Sequence, residues 1–256
     1  MTTEIVLLCL AAFMAGFVDA IVGGGGLIQT PAGLILMPDK PISTVIGSLK
    51  IPAFSGTFFA AIQYAKRVQL KWGLLVFMLP IAFVSAATGS WLLTKVSNAF
   101  MKPVLLVVLI LVALYTYLNK NFGIHSDKTH SNRRRIIYCL LISSVIGFYD
   151  GFIGPGAGSF LVLIFIGLLG FDFLNASAHA KFVNLATNLG SIIFFTAAGK
   201  IMFYIAIPMA VCNALGGILG ARMAILKGNK FIKVFFLVVI TGTIIRFAWD
   251  VFRPLF

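Results

Sequence analysis

Apolar runs fill most of this chain, cut by short polar or glycine-rich interruptions. Most are about 20 residues long, enough to cross roughly 30 Å of hydrocarbon at 1.5 Å per residue. The first run covers residues 4–22 and ends in the four glycines 23–26. A short piece, 27–37, follows and is too short to span alone. Longer runs cover 42–65, with Pro52 and Gly56 inside it, 70–93, with Pro80, and 104–118. The one long polar stretch is 119–135, NKNFGIHSDKTHSNRRR, expected to be a solvated linker whose His125 and His130 are ordinary loop histidines. The pattern then restarts: 136–153, a glycine-rich break, a short piece at 160–169, and runs at 173–198, 201–226 and 231–251.

The restart keeps a constant offset of 131 residues (147 minus 16). Gly16, Phe17, Asp19, Gly23 and Gly25 fall on Gly147, Phe148, Asp150, Gly154 and Gly156. Lys50 falls on Lys181, and Asn98, Phe100 and Lys102 fall on Asn229, Phe231 and Lys233. Apolar residues coincide easily by chance, but Asp, Lys and Asn at one offset do not. The reading is two structural repeats, 1–118 and 136–256, joined by the linker 119–135. Lys and Arg counts on the two sides barely separate a parallel from an inverted second repeat. Five apolar pieces per half favour inversion, and the arginine-rich linker is cytoplasmic in either case.

Composition sharpens the class. Hydrophobic residues make up 60% and charged residues 11%, with 25 Phe, which a soluble fold of this size has no way to bury. The expected fold class is all-α: a polytopic integral membrane protein of two structural repeats, with short broken or re-entrant half-helices after the glycine-rich breaks. A β-barrel would alternate in short segments instead. The N-terminal residues lack the basic flank and small-residue cleavage site of a secretory signal, so the first run is expected to stay in the membrane. The net charge of +13 comes mostly from bases at the ends of apolar runs, where they anchor helices. Lipid, not nucleic acid, is therefore the expected macroscopic partner. Cys9, Cys139 and Cys212 lie in apolar runs without metal-ligand spacing and read as small core residues.

The candidate chemistry gathers at the breaks. Irregular backbone at membrane depth survives only where protein or a wet cavity covers it. The half-helices after the breaks would point N–H groups and positive dipole ends at a ligand, a natural anion site. That makes Gly24, Gly25, Gly26, Gln29 and Thr30 candidates in the first half, and Gly156, Ala157, Gly158 and Ser159 in the second. The competing reading is tight helix packing. A P-loop or Rossmann reading fails, because no Lys-Ser/Thr pair follows and the flanks are of membrane length.

Lys50 and Lys181 sit inside apolar runs, where a charge costs about 2.5–3.5 kcal/mol even on a lenient scale. They either attract the substrate or pair with Asp19 and Asp150, and those aspartates are also candidates to carry a coupling proton. Ser177, Lys181, Asn184, Asn188 and Ser191 share one helix face. The matching face in the first half, Ile46, Lys50, Ala53, Thr57 and Ala60, keeps only Lys50 and Thr57 polar. His179 lies off the stripe and reads as structural. Ser85 with Gly89, and Gly216 with Gly220, read as close-packing pairs.

GFVDAIVGGGGLIQTPAGLI and GFYDGFIGPGAGSFL, with the two-repeat layout, resemble the TauE/SafE family, the sulfite exporter and toluene-sulfonate permease group. The resemblance covers essentially the whole chain. It implies a multi-pass permease of the bacterial or archaeal plasma membrane, with about eight transmembrane helices, that moves sulfite, sulfonates or sulfoacetate, coupled to a proton or Na⁺. Pro155 stands where the first motif has glycine, so the two half-sites differ. The expectation is a secondary transporter of a small anion working by alternating access. A passive anion channel and a permease of an unrelated organic anion remain as alternatives. No enzyme is expected, since no Ser/His/Asp set or intramembrane His cluster appears, and no cofactor or metal is called for. A homodimer is compatible with the sequence, which leaves the oligomeric state open.

Overall fold

The computed structural model describes residues 2–97, 99–100, 107 and 132–252, with only the helical course given for residues 2, 132–135, 236–237 and 239–252. The fifth apolar run, 104–118, falls outside the described residues apart from Val107, and the polar stretch 119–131 falls outside them altogether.

Eight helices are described, and no strand occurs among the described residues. They are α1 Thr2–Val22, α2 Gly26–Leu36, α3 Ile42–Ala65 and α4 Trp72–Lys95, then α5 Asn132–Phe152, α6 Ala157–Leu169, α7 Phe173–Ala197 and α8 Phe203–Phe252. The last is two helices in one, since Gly228 (φ 69°, ψ −165°) breaks it where the sequence pattern separates its last two runs. α5 begins at Asn132, so the three arginines expected in the linker form its first turn.

Among the described residues, Thr3–Val22, Ile42–Ala65, Trp72–Lys95 and Phe203–Phe235 are long and apolar enough to cross a membrane. Gly26–Leu36, Ile136–Phe152 and Ala157–Leu169 are shorter apolar helices. α7 is long but carries buried Lys181, Asn184 and Asn188 in its middle, and that lowers its hydropathy. Large apolar side chains such as Leu10, Val76, Val84, Trp91, Val145 and Leu219 face outward. The molecule is a polytopic helical membrane protein, with an apolar exterior and a core that holds its polar groups.

The helix order follows from close backbone contacts. α1 packs on α8, and α5 packs on α4. A Cβ added to Gly220 would lie 2.3 Å from Phe17 O, and one added to Gly89 would lie 2.2 Å from Phe148 O. Likewise a Cβ on Gly16 would lie 2.2 Å from Asn213 O, and one on Gly147 2.9 Å from Ala82 O. Each contact recurs with both partners moved by the same 131 residues. Ser85 and Gly89, like Gly216 and Gly220, therefore sit in helix seams where only small residues let backbones approach this closely.

The register of contacts also gives direction. Phe13 meets Gly216 and Phe17 meets Gly220, so α1 and the first arm of α8 run the same way. α3 runs with them, since Ser48 accepts from Met202 N and Gly56 abuts Asn213. α4 runs with α5 and with α7, where His179 meets Lys71 and Gly190 meets Phe83. α3 and α7 are opposed: Gly47 meets Phe195, and Tyr64 meets Ser177. Hence α1 and α5, which hold the same place in their halves, run in opposite directions.

Candidate functional site

Both breaks have a local cause. α1 ends as Gly23 turns to φ 78°, a left-handed conformation that suits glycine, with Gly23 N donating to Asp19 O at 2.8 Å. α5 ends in the same way at Gly154, φ 93°, whose N–H reaches Tyr149 O at 3.1 Å. The breaks touch each other: Ser159 N donates to Gly23 O at 3.1 Å, and a Cβ on Gly23 would lie 2.3 Å from the Gly158 carbonyl carbon. A side chain at either position would push the halves apart.

The buried charges join the halves crosswise. Lys50 Nζ, on α3, donates to Asp150 Oδ1 at 2.9 Å and to Asp150 O at 2.6 Å, at the end of α5. Lys181 Nζ, on α7, donates to Asp19 Oδ2 at 2.7 Å and also to Asp19 O, at the end of α1. These pairs exchange under the 131-residue offset. Each lysine also caps a carbonyl near a helix C-terminus, where a cation is favoured. The carboxylates have further donors. Thr57 donates to Asp19 Oδ2 at 3.2 Å and Gly25 N to Asp19 Oδ1 at 3.4 Å, while Thr187 donates to Asp150 Oδ2. The four charges sum to zero, so the site carries no excess positive charge.

A cavity of about 60 Å³ lies between the breaks. By the same measure a water needs roughly 10–15 Å³, so the space suits a few waters or one small oxyanion. Gly25, Gly26, Gln29, Thr30, Lys50 and Thr57 line it from the first half. Gly156, Ala157, Gly158, Asn184 and Asn188 line it from the second, with Asp19 and Asp150 in the wall. Gly24, Ser159 and Lys181 are not lining residues. Ser159 Oγ donates to Val22 O at 3.1 Å, and Lys181 is fully buried behind Asp19.

Several N–H groups at the starts of the half-helices are already engaged. Leu27 N donates to Gly24 O, Ile28 and Gln29 N to Gly25 O, and Phe160 N to Gly156 O. The Gly26 and Gly158 N–H groups, at cavity-lining positions, are not among these donors, so the half-helices offer the cavity these N–H groups with their dipole ends, and side-chain amides add further directed groups. Asn184 and Asn188 are buried in the wall, and Asn184 Oδ1 has no partner among the described residues. Asn213, on α8, was not foreseen from sequence. It lines the cavity and donates to Gln29 Oε1 at 2.7 Å, and Gln29 Nε2 in turn donates to Leu49 O at 2.9 Å. A lone asparagine in the apolar run VCNALGG is the signal that could have found it. His179 stands away from the cavity. Its Nε2 accepts from Lys71 N at 2.9 Å, and its Nδ1 lies 2.7 Å from Asn175 O.

The site thus has the layout of a binding centre at the meeting point of two broken helices. The family model described as "Sulfite exporter TauE/SafE" matches residues 8–247. A probable membrane transporter protein of Sinorhizobium, ORF9, is 38% identical over 97% of this chain and 94% of its own length. A probable membrane transporter protein of Haemophilus influenzae is 34% identical over 89% of this chain and 88% of its own. The probable membrane transporter protein YfcA of Escherichia coli is 32% identical over 89% and 83%. No solved structure matches. The chain belongs to the TauE/SafE family and is a membrane transporter.

Proposed function

We propose that this chain is an ion-coupled secondary transporter of small anions, sulfite or organosulfonate-type oxyanions, working by alternating access. One observation carries the reading: a cavity into which both halves place polar side chains, at the point where two broken helices touch. Substrate and ion sites between repeats, at discontinuous helices, are the general layout of secondary transporters. The opposed directions of α1 and α5 support an inverted pair of repeats, 1–118 and 136–256. The linker 119–135 then lies on the cytoplasmic side of a bacterial or archaeal plasma membrane.

In this reading the substrate's oxygens accept hydrogen bonds from the Asn184 and Asn188 amides, while the Thr57 hydroxyl stays on Asp19. Lys50 supplies the nearest cation, and the two dipole ends add a favourable field. Lys50 and Lys181 hold Asp150 and Asp19 in the closed form. A coupling proton or Na⁺ competes for those carboxylates and so links its own gradient to the opening of the halves. The size of the cavity favours a compact oxyanion such as sulfite over bulkier sulfonates in this state.

Thermal unfolding of purified protein with added sulfite tests the binding. A ligand at a hundred times its Kd stabilises by about 2.7 kcal/mol. At about 2–4 °C per kcal/mol, the midpoint should rise by about 5–10 °C, and Asn184→Leu should abolish the rise. An equal rise in Asn184→Leu would place the ligand elsewhere.

A further inference from the structure

We infer that Cys9 and Cys212 form an oxidisable thiol pair, a modification site at which a disulfide joins α1 to α8. The seam between these helices has a fixed register: Phe13 lies against Gly216 and Phe17 against Gly220, a separation of 203 in both cases (216 minus 13, 220 minus 17). Cys9 and Cys212 are separated by the same 203 positions (212 minus 9), one turn nearer the start of each helix. The backbones are close there, since a Cβ on Gly216 would lie 2.0 Å from Phe13 O. Such proximity suits the short Cα separation that a disulfide needs.

The side chains meet as the register requires. The two thiols lie close enough to interact. Both are half-buried and pack beside Leu8, Ala12, Ile205 and Met209. Cys139 is buried in a different cluster and has no part in this pair. Intact, the pair is two thiols.

Oxidation proceeds by thiol–disulfide exchange with an organic disulfide. One cysteine thiolate attacks a donor sulfur and expels one donor thiolate, leaving a mixed disulfide. The second thiolate attacks the cysteine sulfur of that bond and expels the other. Two cysteine thiols are oxidised, one donor disulfide is reduced to two thiols, and the cysteine protons pass to the departing thiolates. α1 starts on the face opposite the start of α5. With the linker cytoplasmic, the pair therefore lies towards the exterior, where disulfides persist. The bond itself does not depend on that orientation.

The test uses the full-length chain in membranes, with a protease site inserted in the stretch 119–131. The protein is treated with dipyridyl disulfide, free thiols are blocked with N-ethylmaleimide, and the denatured chain is cut and run without reductant. The expected result is one band of full-chain mass that splits into two halves on adding dithiothreitol. Cys9→Ser and Cys212→Ser should each run as two halves, and Cys139→Ser should stay joined. Separate halves from the oxidised wild type would overturn the inference. So would a band of twice the chain mass, or thiopyridyl adducts left on Cys9 or Cys212.

Discussion

Replacing Lys181 by Met tests the crosswise pairing at its most enclosed point. Lys181 is fully buried, and its charged partner among the described residues is Asp19. The substitution keeps the length and apolar stem of the side chain but leaves the Asp19 carboxylate without its cation. Breaking a buried pair by removing one partner costs about 3–5 kcal/mol. The Asp19 side chain is 19% exposed and borders the cavity, and it keeps the Thr57 and Gly25 donors. Water and those donors offset part of the loss, so the lower end, about 3 kcal/mol, applies. At about 2–4 °C per kcal/mol for a chain of this size, thermal unfolding in detergent should drop by about 6–12 °C. Asp19→Asn leaves the enclosed ammonium without its counter-charge and should cost more, nearer 5 kcal/mol. The double variant removes both charges and keeps one oxygen acceptor, for Gly25 N, while its amide NH2 donates to the Thr57 hydroxyl. It should recover at least about 2 kcal/mol relative to the sum of the singles, the coupling expected of neighbours. Strict additivity of the two singles would refute the pairing.

Other expectations follow from the same geometry. Gly23→Ala forces a Cβ onto the Gly158 carbonyl at a positive φ and should reduce transport more than tenfold. Gly199→Ala, also at positive φ but with open space around it, should leave transport within about twofold, given a strain cost on the order of 1 kcal/mol far from the cavity. Tyr64→Phe removes the donor to Ala20 O, a buried 2.9 Å hydrogen bond, and should cost about 1–3 kcal/mol in the same unfolding assay. Asn188→Leu should weaken sulfite uptake, whereas Leu189→Ala, on the exposed face beside it, should not, as initial rates in proteoliposomes will show.

Much of the fold could be read from the chain because lipid imposes blunt rules. Run lengths located the helices, and α3 has the bounds that the pattern predicts. The breaks at Gly23 and Gly154 were readable because glycine runs are conspicuous in apolar sequence. α6 starts at Ala157 rather than Phe160, since the turn is complete once Gly156 takes φ 82°. That the lysines pair with the aspartates was one of two readings of the sequence, but which aspartate each takes was not readable. Lys50 lies nearer in sequence to Asp19 yet bonds Asp150, because α3 packs among elements of the second half, and no local pattern encodes that choice. Lys181 and Asn184 share a helix face, but only the packed structure separates the fully enclosed ammonium from the amide that lines the cavity. Asn213 escaped because its position in the other half is Ala82, so the repeat gave it no partner.

The most direct test of the central claim is uptake of radiolabelled sulfite into proteoliposomes under an imposed proton or Na⁺ gradient. The expected result is saturable accumulation beyond electrochemical equilibrium for one of the two gradients, lost in Asn184→Leu. Flux that never exceeds equilibrium under either gradient, or no sulfite flux at all, would contradict the account.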